Sequence, residues 1–80
     1  MAVYTYDGDA DVLYVLLVDE PEAAIERTEE IGPNLHVDID AQGQVVGVEF
    51  LYPRTYGVEL EDVKERYGIV LEIPFSFAAS

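Results

Sequence analysis

Apolar and polar residues alternate with a period of two along much of the N-terminal part of the chain, which is the pattern of β-strands with one buried face. Strands are predicted at residues 3–6, 12–18, 35–40 and 45–51. Residues 24–31 fit either a polar strand or one short helix. Their β-branched residues and acidic positions favour an edge strand.

The segments at residues 35–40 and 45–51 predict a hairpin, because Gln42-Gly43 between them suits a tight turn in which glycine adopts positive φ. The expected register pairs Leu35 with Phe50, Val37 with Val48, Ile39 with Val46 and Ala41 with Gln44. A shift by one residue would turn the apolar side chains to the opposite face. The same register makes His36 and Glu49 neighbours on the outer face.

Residues 12–18 are apolar at every position, which predicts a central strand that is covered on both faces. Tyr14 and Phe50 are both expected in the core. Leu16 then needs apolar cover from outside the sheet, and a second copy of the chain is one source of that cover.

The C-terminal part of the chain predicts one helix. Residues 59–67 place Leu60, Val63 and Tyr67 on one side at helical spacing. Acidic residues come first in this segment and basic residues last, which complements the helix dipole. Gly68 suits a left-handed C-cap, so the helix is expected to end there.

An apolar tail follows the predicted helix. Residues 69–77 predict a last strand that ends at Pro74, with Phe75 and Phe77 packing on the body of the protein. The expected fold class is therefore α+β, a single domain over residues 1–80. It consists of a small, meander-like antiparallel sheet of about four to six strands with one C-terminal helix packed on it.

Several short motifs resemble one known family. They are Tyr6-Asp7, Ala10-Asp11, Leu13-Tyr14, Asp38-x-Asp40-x-x-Gly43 and Val46-Gly47-Val48-Glu49. Over residues 3–51 the chain resembles the small bacterial family catalogued as domain of unknown function 2283. The resemblance implies a small antiparallel sheet and no established activity, and members that neighbour toxin genes imply an antitoxin-like role. The apolar Leu16 and the helix and tail after residue 51 depart from the family pattern.

The charge of the chain narrows the classes of partner. It has 17 acidic and 4 basic residues among 80, a net charge of −13, which disfavours nucleic acid and anionic membranes and favours a basic protein. It has no cysteine and only one histidine, so disulfides, cysteine-based zinc sites and multi-histidine sites are excluded, and no cofactor is expected. No signal peptide or membrane-spanning run is recognised, which predicts a cytoplasmic protein.

Two acidic loops are candidates for weak divalent-cation binding. The candidate ligands are Asp7, Asp9 and Asp11 in the first loop, and Asp38 and Asp40 in the second. The second loop, with Gln42-Gly43 and Glu49, lies one substitution from the calcium-binding loop pattern. That pattern requires flanking helices, whereas strands are predicted on both sides, so solvated turns are the preferred interpretation.

His36 and Glu49 are candidates for acid–base chemistry, since a histidine beside a carboxylate can act as a general base. No candidate nucleophile accompanies them, because the only serines, Ser76 and Ser80, lie in the tail. A surface ion pair is the preferred interpretation, and a non-enzymatic role is favoured.

The sequence therefore leaves three hypotheses for the function of the protein. The first is a self-associating, dimeric or protein-binding module with an apolar interface at Leu16, Ile69, Leu71, Phe75 and Phe77. The second is an antitoxin-like inhibitor of a basic protein. The third is a weak cation-binding or hydrolytic site at His36, Asp38 and Glu49 or at the first acidic loop.

Overall fold

The computed structural model describes residues 2–18 and 25–74. Within them the strands are β1 (Val3–Asp7), β2 (Val12–Leu16), β3 (Arg27–Gly32), β4 (Leu35–Ile39) and β5 (Val45–Leu51), and the helices are α1 (Pro53–Tyr56) and α2 (Leu60–Tyr67). The ambiguous segment at residues 24–31 contributes the strand β3. The predicted α+β fold, with an antiparallel sheet and a helix on its C-terminal side, is confirmed.

The five strands form one sheet in the order β1-β2-β5-β4-β3, and every neighbouring pair is antiparallel. β3, β4 and β5 form a meander, whereas the β1–β2 hairpin joins it through β2 and β5. This order departs from a simple meander, because β2 pairs with the last strand and not with the next one. The strand β5 is therefore the middle of the sheet.

The β4–β5 hairpin has the expected register over most of its length. Leu35 pairs with Phe50, Val37 with Val48 and His36 with Glu49. Near the turn, Ile39 pairs with Val45 and not with Val46, because the register shifts beyond Asp38.

The shift in register follows from the length of the turn. The Asp40 backbone N–H donates to the Gln44 carbonyl at 2.9 Å, so the loop has three residues, 41–43, where two were expected. Gly43 supplies the left-handed conformation at φ 84° that such loops use. A bulge then absorbs the extra residue and restores the register at the Asp38–Gly47 pair.

The hydrophobic core lies on one face of the sheet. Its buried members are Leu13, Val15, Leu35, Val37, Ile39, Val48, Phe50, Val63 and Leu71. Seven of these come from the three inner strands β2, β4 and β5, while Val63 comes from α2 and Leu71 from the segment after it. The helix and that segment therefore cover a single face of the sheet.

The strand β2 is not the central, doubly covered strand that its composition predicts. It lies second from the edge, and its buried residues are Leu13 and Val15. Tyr14 and Leu16 are only half-buried and lie on the opposite face, because successive side chains alternate between faces. The expectation that Tyr14 lies in the core is wrong, whereas that for Phe50 is confirmed.

Helix α2 begins one residue later than predicted, at Leu60, with Glu59 as its N-cap. Gly68 ends it at φ 69° and donates its backbone N–H to the Lys64 carbonyl, which confirms the left-handed cap. The short helix α1 was not predicted. Pro53 lies at its start, where the missing N–H of proline costs no hydrogen bond.

The segment after α2 does not form the predicted last strand as far as Pro74. Ile69, Leu71 and Ile73 alternate toward the core as a strand would, but they cross over the sheet face and pair with neither edge. The backbone of this segment instead bonds to a side chain, because the Glu72 N–H donates a hydrogen bond to the Tyr4 hydroxyl at 3.2 Å. Phe75 and Phe77 lie outside the described residues.

Candidate functional site

The face of the sheet opposite α2 is termed the open face. The strand registers place on it Val3, Thr5 and Asp7 of β1, Val12, Tyr14 and Leu16 of β2, Thr28 and Glu30 of β3, His36 and Asp38 of β4, and Gly47, Glu49 and Leu51 of β5. Among the described residues, none of these belongs to the hydrophobic core or to the apolar residues packed against it.

The charges on the open face have one sign. Four acids lie on it, namely Asp7, Glu30, Asp38 and Glu49. The chain has four basic residues and none lies on this face: Arg27 pairs with Glu29 on the other face of β3, Arg54 is in α1, and Lys64 and Arg66 are in α2. Apolar side chains of β1, β2 and β5 therefore share this face with four carboxylates and with no lysine or arginine.

Tyr14 spans the middle strand to reach Asp38. Its hydroxyl donates to Asp38 Oδ2 at 2.7 Å, and the Thr28 hydroxyl donates to Asp38 Oδ1 at 2.6 Å. Burial and the hydrogen bond to Asp38 raise the pKa of Tyr14, so the phenol stays protonated and keeps donating. One hydroxyl network thus ties β2, β4 and β3 together across the open face.

Gly47 makes this crossing possible. It lies on β5 beneath the Tyr14 side chain, and a β-carbon at this position would overlap the ring and hydroxyl of Tyr14. A glycine inside a strand is a recognised signal for such a close approach. Neither the tyrosine–aspartate–threonine network nor the role of Gly47 follows from the apolar pattern of the chain, although an isolated glycine inside a strand was the available signal.

His36 and Glu49 are brought together as the hairpin predicts. His36 Nδ1 lies 3.3 Å from Glu49 Oε1, and its Nε2 lies 3.9 Å from Glu30 Oε1. The protonated imidazole would therefore bridge two carboxylates. Both side chains are partly exposed, so the contact has the geometry of a surface pair, which is an ion pair when His36 is protonated.

The aspartates of the first acidic loop hold the local backbone. Asp7 Oδ1 accepts the N–H groups of Asp9 at 3.0 Å and Ala10 at 3.2 Å. Asp11 adopts a left-handed conformation at φ 55°, and its carboxylate accepts the Tyr6 hydroxyl at 2.8 Å. The bonds of Asp7 to backbone amides and the left-handed conformation of Asp11 are both typical of aspartate in turns.

The second acidic loop is the hairpin turn and not a helix-flanked calcium loop. Asp40 Oδ1 accepts the backbone N–H groups of Gln42 at 3.0 Å and Gln44 at 2.8 Å, whereas Asp38 binds the hydroxyls of the open face. Among residues 2–18 and 25–74, no group of three or more acids, histidines or cysteines is arranged to hold a metal ion. The candidate ligands are therefore not gathered into one coordination site.

The family model described as protein of unknown function (DUF2283) matches residues 4–52, which is more than half of the chain. The chain belongs to this family. Searches of curated proteins and of solved structures found no match. The DUF2283 match contains β2 to β5 in full and β1 from its second residue, and it ends just before α1, so both helices lie beyond it.

The motif residues that carry the DUF2283 resemblance have identifiable structural tasks in this chain. Asp7 and Asp40 bind turn amides, Gly43 supplies a left-handed turn residue, and Gly47 gives room to the Tyr14 side chain. Each of these four residues therefore supports the turns of the sheet or its open face.

The apolar residues that were predicted to form an interface lie, where the structure describes them, on opposite faces of the sheet. Leu16 is half-buried on the open face. Leu71 is only 7% exposed and Ile69 packs against the same core, so both contribute to the protein's own interior. The described helices include none that is long and apolar enough to cross a membrane.

A hydrogen bond between α2 and β3 predicts how stability depends on pH. The Tyr67 hydroxyl donates to Glu29 Oε1 at 2.7 Å. This bond, and then Arg27, lower the pKa of Glu29, whereas burial and then Glu29 raise the pKa of Tyr67 to about 12. The bond requires both the carboxylate and the protonated phenol, so its contribution is full between the two ordinary pKa values, about 4.3 and 10.

We expect wild type to be more stable than Tyr67→Phe at neutral pH, with a difference that shrinks as Glu29 becomes protonated below about pH 4. On the alkaline side the difference also shrinks as pH rises from about 10 toward 12. Urea denaturation across this pH range measures both changes. Tyr56→Phe is the control, since Tyr56 is 58% exposed, and a Tyr67→Phe curve parallel to wild type at all pH values would contradict the prediction.

Proposed function

We propose that the protein is a non-enzymatic binding module whose open face docks a basic partner protein. The observation that carries this proposal is the composition of that face, on which aliphatic side chains and Tyr14 lie beside four acids and no lysine or arginine. Such a surface complements a partner that presents lysine or arginine around an apolar centre.

The distribution of charge favours a basic partner over a second copy stacked on the same face. Two identical open faces would bring Glu49 and Asp38 of one chain close to those of the other, and like charges at an interface oppose association. The net charge of −13 adds a long-range attraction toward a basic protein. An antitoxin-like inhibitor of a basic toxin is one form that this role would take.

The size of the face sets the expected strength of binding. A five-stranded sheet with strands of about five residues presents about 400 Å², which is half of what each partner contributes to a standard interface. One face alone is therefore expected to bind with moderate affinity and with a marked dependence on salt, because charge supplies much of the attraction.

A pull-down from host-cell extract tests the proposal, with wild type and matched variants of the protein as baits. Glu49→Lys reverses a charge on the open face, and Glu65→Lys makes the same change of net charge on the exposed surface of α2. Wild type and Glu65→Lys are each expected to retain from host-cell extract a protein of basic composition, which about 0.5 M salt releases. Glu49→Lys and Leu16→Asp are expected to retain at least tenfold less of it.

The identified protein is then produced in pure form, and its dissociation constants for the four baits are measured by calorimetry. Equal affinities for the Glu49→Lys and Glu65→Lys variants would show that net charge, and not the open face, governs binding. Affinity that does not change with salt would contradict the electrostatic part of the proposal.

A further inference from the structure

The two edges of the sheet differ in how they oppose pairing with another strand. The edge strand β3 has a register irregularity between Glu30 and Gly32 and carries the charged residues Arg27, Glu29 and Glu30. Bulges and charges of this kind are the usual means by which proteins keep an edge from pairing. The edge formed by β3 is therefore protected.

The other edge, β1, has no bulge and little charge. Its pairing with β2 is regular over all five residues, it contains no proline or lysine, and its one charged residue, Asp7, lies at its end. Residues 2–6 carry no acid or base in a chain with 17 acids, so this edge is a local minimum of negative charge. Two copies of the chain that met at this edge would therefore repel one another less than at the acidic surfaces.

We propose that β1 pairs with β1 of a second copy, antiparallel about a two-fold axis, to form one ten-stranded sheet from two five-stranded ones. Full overlap of Val3–Asp7 with its symmetry mate centres the pairing on Thr5. Thr5 then faces Thr5 of the other copy, and Tyr4 faces Tyr6, which gives aromatic cross-strand pairs on the core side.

This arrangement has a consequence for the open face. In the centred register residues of one face pair with residues of the same face, so the two open faces become one continuous surface. Its area doubles to about 800 Å², the contribution of one partner to a standard interface. The dimer does not depend on the proposed basic partner, because strand pairing and partner docking use different groups.

Sedimentation of the full chain tests the association itself. The mass is expected to rise from 8.9 kDa toward twice that value as concentration increases from about 5 to 500 µM, since short edge pairing buries little area. Added salt is expected to strengthen the dimer because it screens repulsion between chains of like charge, whereas it weakens docking of a basic partner. A monomer at every concentration and salt level would overturn the proposal.

A charge exchange at Thr5 tests the register. Thr5→Glu and Thr5→Lys each place like charges opposite one another at the two-fold axis, so each variant alone is expected to dimerise at least tenfold more weakly than wild type. An equimolar mixture of the two variants is expected to restore the dimer. Thr55→Glu and Thr55→Lys, at an exposed position in α1, are the matched controls and are expected to dimerise like wild type.

Unchanged dimerisation of the Thr5 variants, or failure of their mixture to associate, would overturn β1 pairing. Circular dichroism of each variant verifies that it is folded. Amide exchange of wild type gives a readout that needs no variant: protection of β1 amides is expected to increase with protein concentration, while that of β3 amides stays constant. Equal changes at both edges would also overturn the proposal.

Discussion

Replacing Phe50 with alanine is expected to lower the free energy of unfolding by about 3–5 kcal/mol, the largest effect of any single substitution considered for this protein. Phe50 is 1% exposed and lies on the middle strand β5, where it pairs with Leu13 of β2 on one side and Leu35 of β4 on the other. Its ring therefore connects the two halves of the sheet within the core.

The size of this effect decides whether the variant folds. A domain of 80 residues has a total stability of about 4–12 kcal/mol, so a loss of this size removes much or all of it. Urea denaturation followed by circular dichroism measures the change. Phe50→Leu keeps most of the volume and is expected to lose less than about 1.5 kcal/mol.

Tyr56→Ala is the matched control for removal of an aromatic ring, since Tyr56 is 58% exposed and is expected to change stability by less than about 0.5 kcal/mol. A loss below about 1 kcal/mol for Phe50→Ala would mean that the core collapses around the missing ring. That result would contradict the tightly packed, single-sided core described above.

The hairpin of β4 and β5 was predictable because its information is local. Alternation of residues such as Leu35 and Val37 fixes which face is buried, and the nearby glycine marks the turn. The last pair, Ile39 with Val45, escaped prediction because the hydrogen bonds of the Asp40 carboxylate close a three-residue loop. Whether a loop contains two or three residues depends on such side-chain bonds, which hydrophobic alternation does not record.

The order of the strands was not predictable from the same pattern, because the partner of β2 is far away in sequence. An apolar run such as residues 12–18 shows that a strand is apolar, but not which strand it joins or which face receives the helix. Tyr14 was therefore assigned to the core, although its hydroxyl binds Asp38 on the open face. Its polar group was the physical reason to expect a partner outside the core.

The contacts of the candidate site also differ in how far apart their residues lie in sequence, and only the local contact was predictable. The contact of His36 with Glu49 lies within one hairpin and follows from its register. The network of Tyr14, Asp38 and Thr28 requires three strand pairings at once, β2 with β5, β5 with β4 and β4 with β3. Only Gly47, an isolated glycine in a strand, marked the place where the chain makes room for that network.

Replacing Gly47 with alanine is expected to destabilise the protein by about 1–3 kcal/mol through overlap with Tyr14 and loss of its hydrogen bond to Asp38. The direction of this change in stability is informative, because alanine in place of glycine inside a strand ordinarily stabilises a protein by about 0.5–1 kcal/mol. The tyrosine side chain must turn away, which also removes a donor from Asp38. Denaturation of the four members of a double-mutant cycle with Tyr14→Ala measures the coupling.

In the Tyr14→Ala background the obstruction is absent, so Gly47→Ala is expected to be neutral or stabilising, a coupling of about 2 kcal/mol. In the Tyr14→Phe background the hydroxyl is gone but the ring remains, and Gly47→Ala is expected to stay destabilising. The two backgrounds thus separate steric overlap from the lost hydrogen bond. Equal costs of Gly47→Ala in wild type and in Tyr14→Ala would mean that Tyr14 does not lie over Gly47, and the hydroxyl network across the open face would have to be abandoned.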